Sequence, residues 1–410
     1  MKSSFEMLLF IMLIYLSLPL YILTNEYNKL IEFTLDVPHG SNCIMWLNIN
    51  DKYHKLRLDI VNDVSIFESD RIIRDDNDII SDTFINENPS QPTPLPFFTI
   101  SPETTFHLYS GVITFTSDEC TCPFSFAIPS ENVTLDDIYS ALALPYKFKD
   151  DKYSLVHQLY NNGQIERKQF MAEFIIDEDE NYFFIGGMPD RLKEDKVNTT
   201  LYVDNNYNEW GFDVHAIKYN NNQTLTLNKQ HAYLVTYDED IFVDENTFNW
   251  ILYTAFKEYH DNNTCGFCTL RSRDSICCDE ETFKYISPFQ FVIQGYVFEF
   301  NRKEMFFCDG KKCHLNIEKN DKQYCDDNPH WKIGYSFFTR FYTLFDYDNG
   351  SITFYGSKNV TYTGEGVISK QLPQHKSLLI KVVLTIVISI MLVSICIIII
   401  FHIIFKHNKI

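Results

Sequence analysis

The chain is short of basic charge: 35 Lys and Arg stand against 55 Asp and Glu in 410 residues, a formal net charge of −20. No Lys/Arg-rich stripe relieves the acid excess. Phosphate recognition needs a basic face, so nucleic acid is excluded as a partner. Glycine and proline are scarce at 14 residues each, which excludes a collagenous or polyproline chain. Ready-made catalytic signatures are missing too. The sequence contains no HExxH, no GxSxG elbow, no glycine-rich phosphate loop and no Walker pattern. No cofactor and no metal are expected.

Apolar material is plentiful, with 45% hydrophobic and 16% aromatic residues, enough for a sizeable core. At about 150 residues per domain, the length allows two or three domains or one large β-rich one. Two apolar segments bear on topology. Met7 to Leu23 follows Lys2 and reads as a signal h-region or a retained anchor within residues 1–24. Val382 to Phe405 is a 24-residue run rich in Val, Ile, Leu and Met. That is long enough to cross a hydrocarbon core of about 30 Å. The short basic end at 406–410 belongs on the cytoplasmic side. A type I membrane protein of the secretory pathway or cell surface is expected, with a transmembrane helix over 378–405 and a lumenal or extracellular body.

The body suits that compartment. Six N-x-S/T sequons occur, at Asn132, Asn198, Asn222, Asn262, Asn349 and Asn359. Ten of the eleven cysteines lie outside the apolar span, an even number that suggests disulfides. Cys265-Gly-Phe-Cys268 followed by Cys277-Cys278 has the spacing of a four-thiolate zinc site or a redox CxxC. Its flanks show no thioredoxin-like βαβ pattern, and a lumenal setting favours bridges.

Short alternating stretches separated by Asn, Asp and Gly turns predict an all-β body. Examples are Cys43 to Ile49, Phe289 to Ile293 and Ser351 to Tyr355. Helical patterning is confined to Ser154–Tyr160 and Glu245–Tyr259.

Trp331-Lys-Ile-Gly-Tyr-Ser-Phe-Phe-Thr-Arg-Phe-Tyr-Thr-Leu-Phe-Asp346 resembles the pepsin-family stretch W-I-L-G-D-x-F-L-R-x-Y-Y-T-V-F-D. Further blocks are similar to that family in the same order: Ser154–Phe170, Tyr182–Gly187, Glu209–Ile217 and Ser287–Gly295. The resemblance implies a bilobal pepsin-like aspartic protease fold with few short helices, the lobes covering 25–188 and 189–372. It also implies an interlobe cleft that takes a peptide or protein ligand.

Family members place one catalytic Asp at the end of a tight loop in each lobe. Leu58-Asp59-Ile60-Val61-Asn62 aligns with L-D-T-G-S, so Asp59 takes the first aspartate's place. Ala232-Tyr-Leu-Val235-Thr236-Tyr237 aligns with A-I-V-D-T-G, so Val235 stands at the second. The family's chemistry needs two carboxylates about 3 Å apart sharing one proton, roles that a single Asp cannot divide. The expectation is therefore a pseudoprotease. The alternative is an active endopeptidase in which Asp59 works with Asp238 or Asp240. Tyr139–Tyr146 similarly lacks the Asp-Gly pair and the later Gly of the family's D-G-I-L-G-L-x-Y, whereas Gly334 keeps its counterpart. The flap hairpin should precede Ser110–Phe115, with Tyr109 the one candidate for its tyrosine. The resemblance also implies a second-lobe disulfide, Cys278–Cys313; Cys277, Cys308 and Cys325 are rival partners, with a local Cys308–Cys313 bridge the plainest alternative.

Overall fold

Alternation decides the first strand. Ile31–Asp36 turns Phe33 and Leu35 into the core and leaves Glu32, Thr34 and Asp36 exposed. The other expected strands form at Ile44–Ile49, Phe289–Ile293 and Ser351–Tyr355. The computed structural model describes residues 30–365 except 38–42, 50–51, 63, 67–83, 87–92, 95–104, 116–119, 130–140, 149, 175–180, 193–197, 221–222, 271–272, 321–329, 340 and 357–359. The apolar segments Met7–Leu23 and Val382–Phe405 lie outside the described residues, as do Asn132, Asn222, Asn359 and Cys325. Among the described residues no helix is long and apolar enough to cross a membrane.

Both expected helices form, each with a side-chain cap. Ser154 accepts from the His157 amide and opens Leu155–Asn161, which buries Leu155, Val156 and Leu159. Asp244 accepts from the Thr247 amide and opens Glu245–Trp250. The chain continues as a π turn, Ile251–Ala255, and a last helix, Lys257–Asp261.

Among the described residues the strands form sheets of thirteen, eight and four. The largest draws on distant parts of the sequence: Ile31–Asp36 pairs with Asn181–Ile185, then Gln169–Glu173, Tyr342–Asp346, Ser351–Tyr355 and Asn198–Tyr202. Its core is aromatic. Phe170 stacks on Phe345 with centroids 4.5 Å apart, and Trp210 meets both rings edge-on.

A crossed arrangement occurs twice. In the first half, Ala141–Ala143 runs parallel to Lys52–Asp59, and Ala141 also bridges antiparallel to Ile66 beyond the loop. In the second, Trp331–Ile333 runs parallel to Gln223–Leu234 and antiparallel to Ile241–Val243. In each, a strand from later in the chain slots between the two arms of a loop and holds it open.

The four-stranded sheet corrects the disulfide expectation. Cys265, Cys278, Cys313 and Cys308 occupy one rung across its four neighbouring strands. Cys278 and Cys313 do face each other, as the resemblance implied, but the bonds formed are Cys265–Cys278 and Cys308–Cys313. Bridging the two central cysteines would strand the outer pair, whereas bridging outward satisfies all four. Cys277 points to the opposite face from Cys278 and bonds Cys268.

Candidate functional site

The crossed strands locate two equivalent positions without reference to sequence motifs. Leu58 pairs with Leu142 and Asp59 follows; Leu234 pairs with Ile333 and Val235 follows. The Leu144 amide donates to the Asp59 carbonyl at 2.7 Å, and the Val235 amide donates to the Ile333 carbonyl at 2.9 Å. Asp59 and Val235 are both fully buried. The two loops touch, because the Thr236 hydroxyl donates to the Leu58 carbonyl at 2.6 Å and the Cys43 amide donates to the Thr236 carbonyl. The interlock is one-sided: Ile60, at the place matching Thr236, has no hydroxyl to return.

The Asp59 carboxylate is saturated. Its Oδ1 accepts from the Val61 and Asn62 amides, both at 3.0 Å, and its Oδ2 from the Asn62 side-chain amide and from Arg57 at 3.1 Å. A carboxylate offers about four acceptor positions, and four donors occupy them. Arg57 also neutralises the buried charge. Its guanidinium lies over the Tyr237 ring, 5.7 Å from the centroid, so it links the first loop to the residue two beyond Val235. An acid–base carboxylate must exchange a proton with a water, and this one has no lone pair turned toward such a water.

Of the alternative second acids Asp238 and Asp240, Asp238 has its carboxylate committed elsewhere. Asp238 Oδ2 binds Arg273 at 2.7 Å, and Arg273 also reaches the buried Glu318 at 3.3 Å. Asp240 is buried, and the carbonyls of Asp238, Glu239 and Asp240 accept from the amides of Tyr335, Ser336 and Gly334. A Cβ at Gly334 would lie 2.3–2.5 Å from the Glu239 and Asp240 backbone, so only glycine permits this close approach. Ala143 fills the matching place in the first half, with its amide donating to the Ser65 hydroxyl at 2.9 Å.

Burial pushes the nearby Cys43 thiol up, with Asp36 and Glu239 adding to the effect, so Cys43 stays a neutral packing group rather than a nucleophile. Thr105–Phe115 pairs with Thr93–Pro94 on one side and Cys120–Pro129 on the other. The Tyr109 ring stacks on Phe126 at 6.0 Å, while residues 95–104, which join the first pair of strands, lie outside the described residues. Of the sequons, Asn262 and Asn349 are exposed, and the Asn349 carboxamide donates to Asp346 at 2.6 Å; at Asn198 only the backbone is described.

The roles of Arg57, Asn62 and Tyr237 were missed in the sequence. One signal was there, since Arg57 and Asp59 are two apart on a strand and share a face. The others depend on the loops' meeting.

A mostly β chain that crosses its strands twice and sets two loops back to back defines the architecture of an aspartic protease. Residues 140–356, more than half of the chain, match the family model described as eukaryotic aspartyl protease, and the chain belongs to that family. The matched stretch includes the Val235 loop and begins after the Asp59 loop. No curated protein matches the chain.

Proposed function

We propose that this chain is a catalytically inactive, single-pass membrane member of the aspartyl protease family that holds an extended peptide or protein segment in the cleft between its lobes. One observation carries the reading: the sole carboxylate at the two equivalent loop positions, Asp59, is filled by four donors and paired with Arg57. Val235 cannot polarise water or share a proton, so the divided acid and base roles of the family have no second bearer. An interlobe cleft can still bind a chain through backbone hydrogen bonds and side-chain pockets without cutting it. The sequons and the paired cysteines support a secretory setting, and the apolar run Val382–Phe405 supports the anchor.

The test is incubation of the full chain, solubilised in detergent, with a diverse peptide pool between about pH 3 and 7, with and without pepstatin. The expected outcome is capture of a subset of peptides with no pepstatin-sensitive cleavage. Specific cutting that Asp59→Asn abolishes would overturn the proposal.

A further inference from the structure

Outside the loop site, the strand pair Gly211–Tyr219 and Gln223–Leu234 brings Asp213 and His231 directly opposite each other. His231 is only 3% exposed, yet neither ring nitrogen has a hydrogen-bond partner. Its Nδ1 faces Asp213 Oδ1 at 3.7 Å, beyond hydrogen-bond reach. The imidazole is held in place from several sides. Tyr207 stacks on it with centroids 3.7 Å apart, His330 meets it edge-on at 4.8 Å, and Gly211 leaves room for Nε2, which a Cβ there would approach to 2.7 Å. A third donor comes from the neighbouring turn. The Asp204 amide donates to the Gly211 carbonyl at 3.1 Å, and its Oδ1 accepts from both the backbone and side-chain amides of Asn206. One carboxylate oxygen each from Asp204 and Asp213 and one nitrogen of His231 lie within 4.8 Å of one another.

We propose that Asp204, Asp213 and His231 form a binding site for one divalent transition-metal cation of the zinc class, with Nδ1 as the imidazole ligand. Buried polar nitrogens without partners are rare because removing them from water goes uncompensated, and a cation between Nδ1 and Asp213 supplies the missing partner. Two carboxylates balance a double positive charge. An imidazole with carboxylates suits zinc and its neighbours, whereas calcium and magnesium prefer all-oxygen shells. Three protein ligands leave the fourth tetrahedral place to water. Tyr207 and His330 are walls rather than ligands in this assignment.

The position gives the ion a consequence. The segment after Asp204 carries Asn205, which accepts from Tyr146, and Trp210, which donates to the Leu144 carbonyl at 2.8 Å. The strand after His231 runs into Val235 and Thr236. A cation would clamp the segment that contacts residues 144–147 to the strand that leads into the second loop, stiffening that contact without entering the loops.

The test uses the full chain in detergent, stripped with a chelator and dialysed against Zn²⁺ alone, with Ca²⁺ as a parallel probe and metal per chain measured by mass spectrometry. The expected result is about one zinc per chain and a higher melting temperature with Zn²⁺, with no comparable effect of Ca²⁺. His231→Gln and Asp213→Asn should each weaken zinc binding by at least about tenfold. Co²⁺ substitution also separates this trio from Cys268, Cys277 and His314, whose two cysteines could bind a metal only if their disulfide were reduced. Nitrogen and oxygen ligands give a visible ligand-field spectrum without a thiolate charge-transfer band, so the readout needs no variant that might misfold. Failure of the folded wild-type chain to bind zinc, full zinc retention in Asp213→Asn, or a thiolate band with Co²⁺ would each overturn the assignment.

Discussion

At Asp59, the loop position is kept and both carboxylate oxygens are capped by protein donors. The loop still aims backbone amides at the carboxylate, as an aspartic protease loop must. Arg57 and the Asn62 side chain then cap its other oxygen. Val235→Asp alone should therefore not create a protease. Its peptidase activity should stay at least about a hundredfold below that of an intact two-aspartate enzyme, since the first carboxylate remains capped and both loop glycines are still replaced. A pepstatin-sensitive peptidase assay of the single variant checks this, and a large gain would show a loop far closer to working geometry. Arg57→Met tests the cap itself. Losing a charged donor to a fully buried carboxylate should lower stability by about 1.5–3 kcal/mol, read as a drop in denaturation midpoint. Unchanged stability would mean that Asp59 draws its compensation from elsewhere.

Among elements, the four-stranded sheet makes the clearest claim. Non-reducing peptide mapping should recover Cys265–Cys278, Cys268–Cys277 and Cys308–Cys313, with sequence separations of 13, 9 and 5. Loops this short are worth about 2–3 kcal/mol each in the chain-entropy model. A Cys278–Cys313 linkage would restore the pairing implied by family resemblance and leave Cys265 and Cys308 without partners. The strands and helices were legible beforehand because each follows from local spacing: alternation in Ser351–Tyr355, and helical patterning from Ser154 to Tyr160, where the structure adds the Ser154 cap. The disulfides were not legible. Which of two facing neighbours a cysteine takes depends on four strands being in register together.

On the scale of the whole molecule, the proposed anchor and orientation give a simple expectation. Protease added outside intact vesicles should remove only the residues after about Lys406, with the body protected until detergent is added. Digestion of the body without detergent would reverse the orientation. Within the described residues, the first crossed loop is built on the thirteen-stranded sheet, which unites strands from Ile31 to Tyr355, and the second on the eight-stranded sheet. The hydrogen bond from Thr236 to the Leu58 carbonyl, 178 residues away in sequence, therefore ties one sheet to the other.

The family, the strand positions and the helical stretches were determined by the amino-acid sequence, because each is written in the order and spacing of neighbouring residues. Val235 was singled out from the resemblance of Ala232–Tyr237 to the family, and the strand registers give it a position equivalent to that of Asp59 by an independent route. What filled the Asp59 carboxylate, where Asp238 spent its charge and how the cysteines shared their bonds were decided only by the tertiary structure. Arg57 reaches Tyr237, Arg273 reaches Asp238 and His231 meets Asp204 only once the sheets have formed. The physical reason is the same in each case. A buried charge or a sulfur takes the partner that packing brings within about 3 Å, and no local pattern encodes that distance.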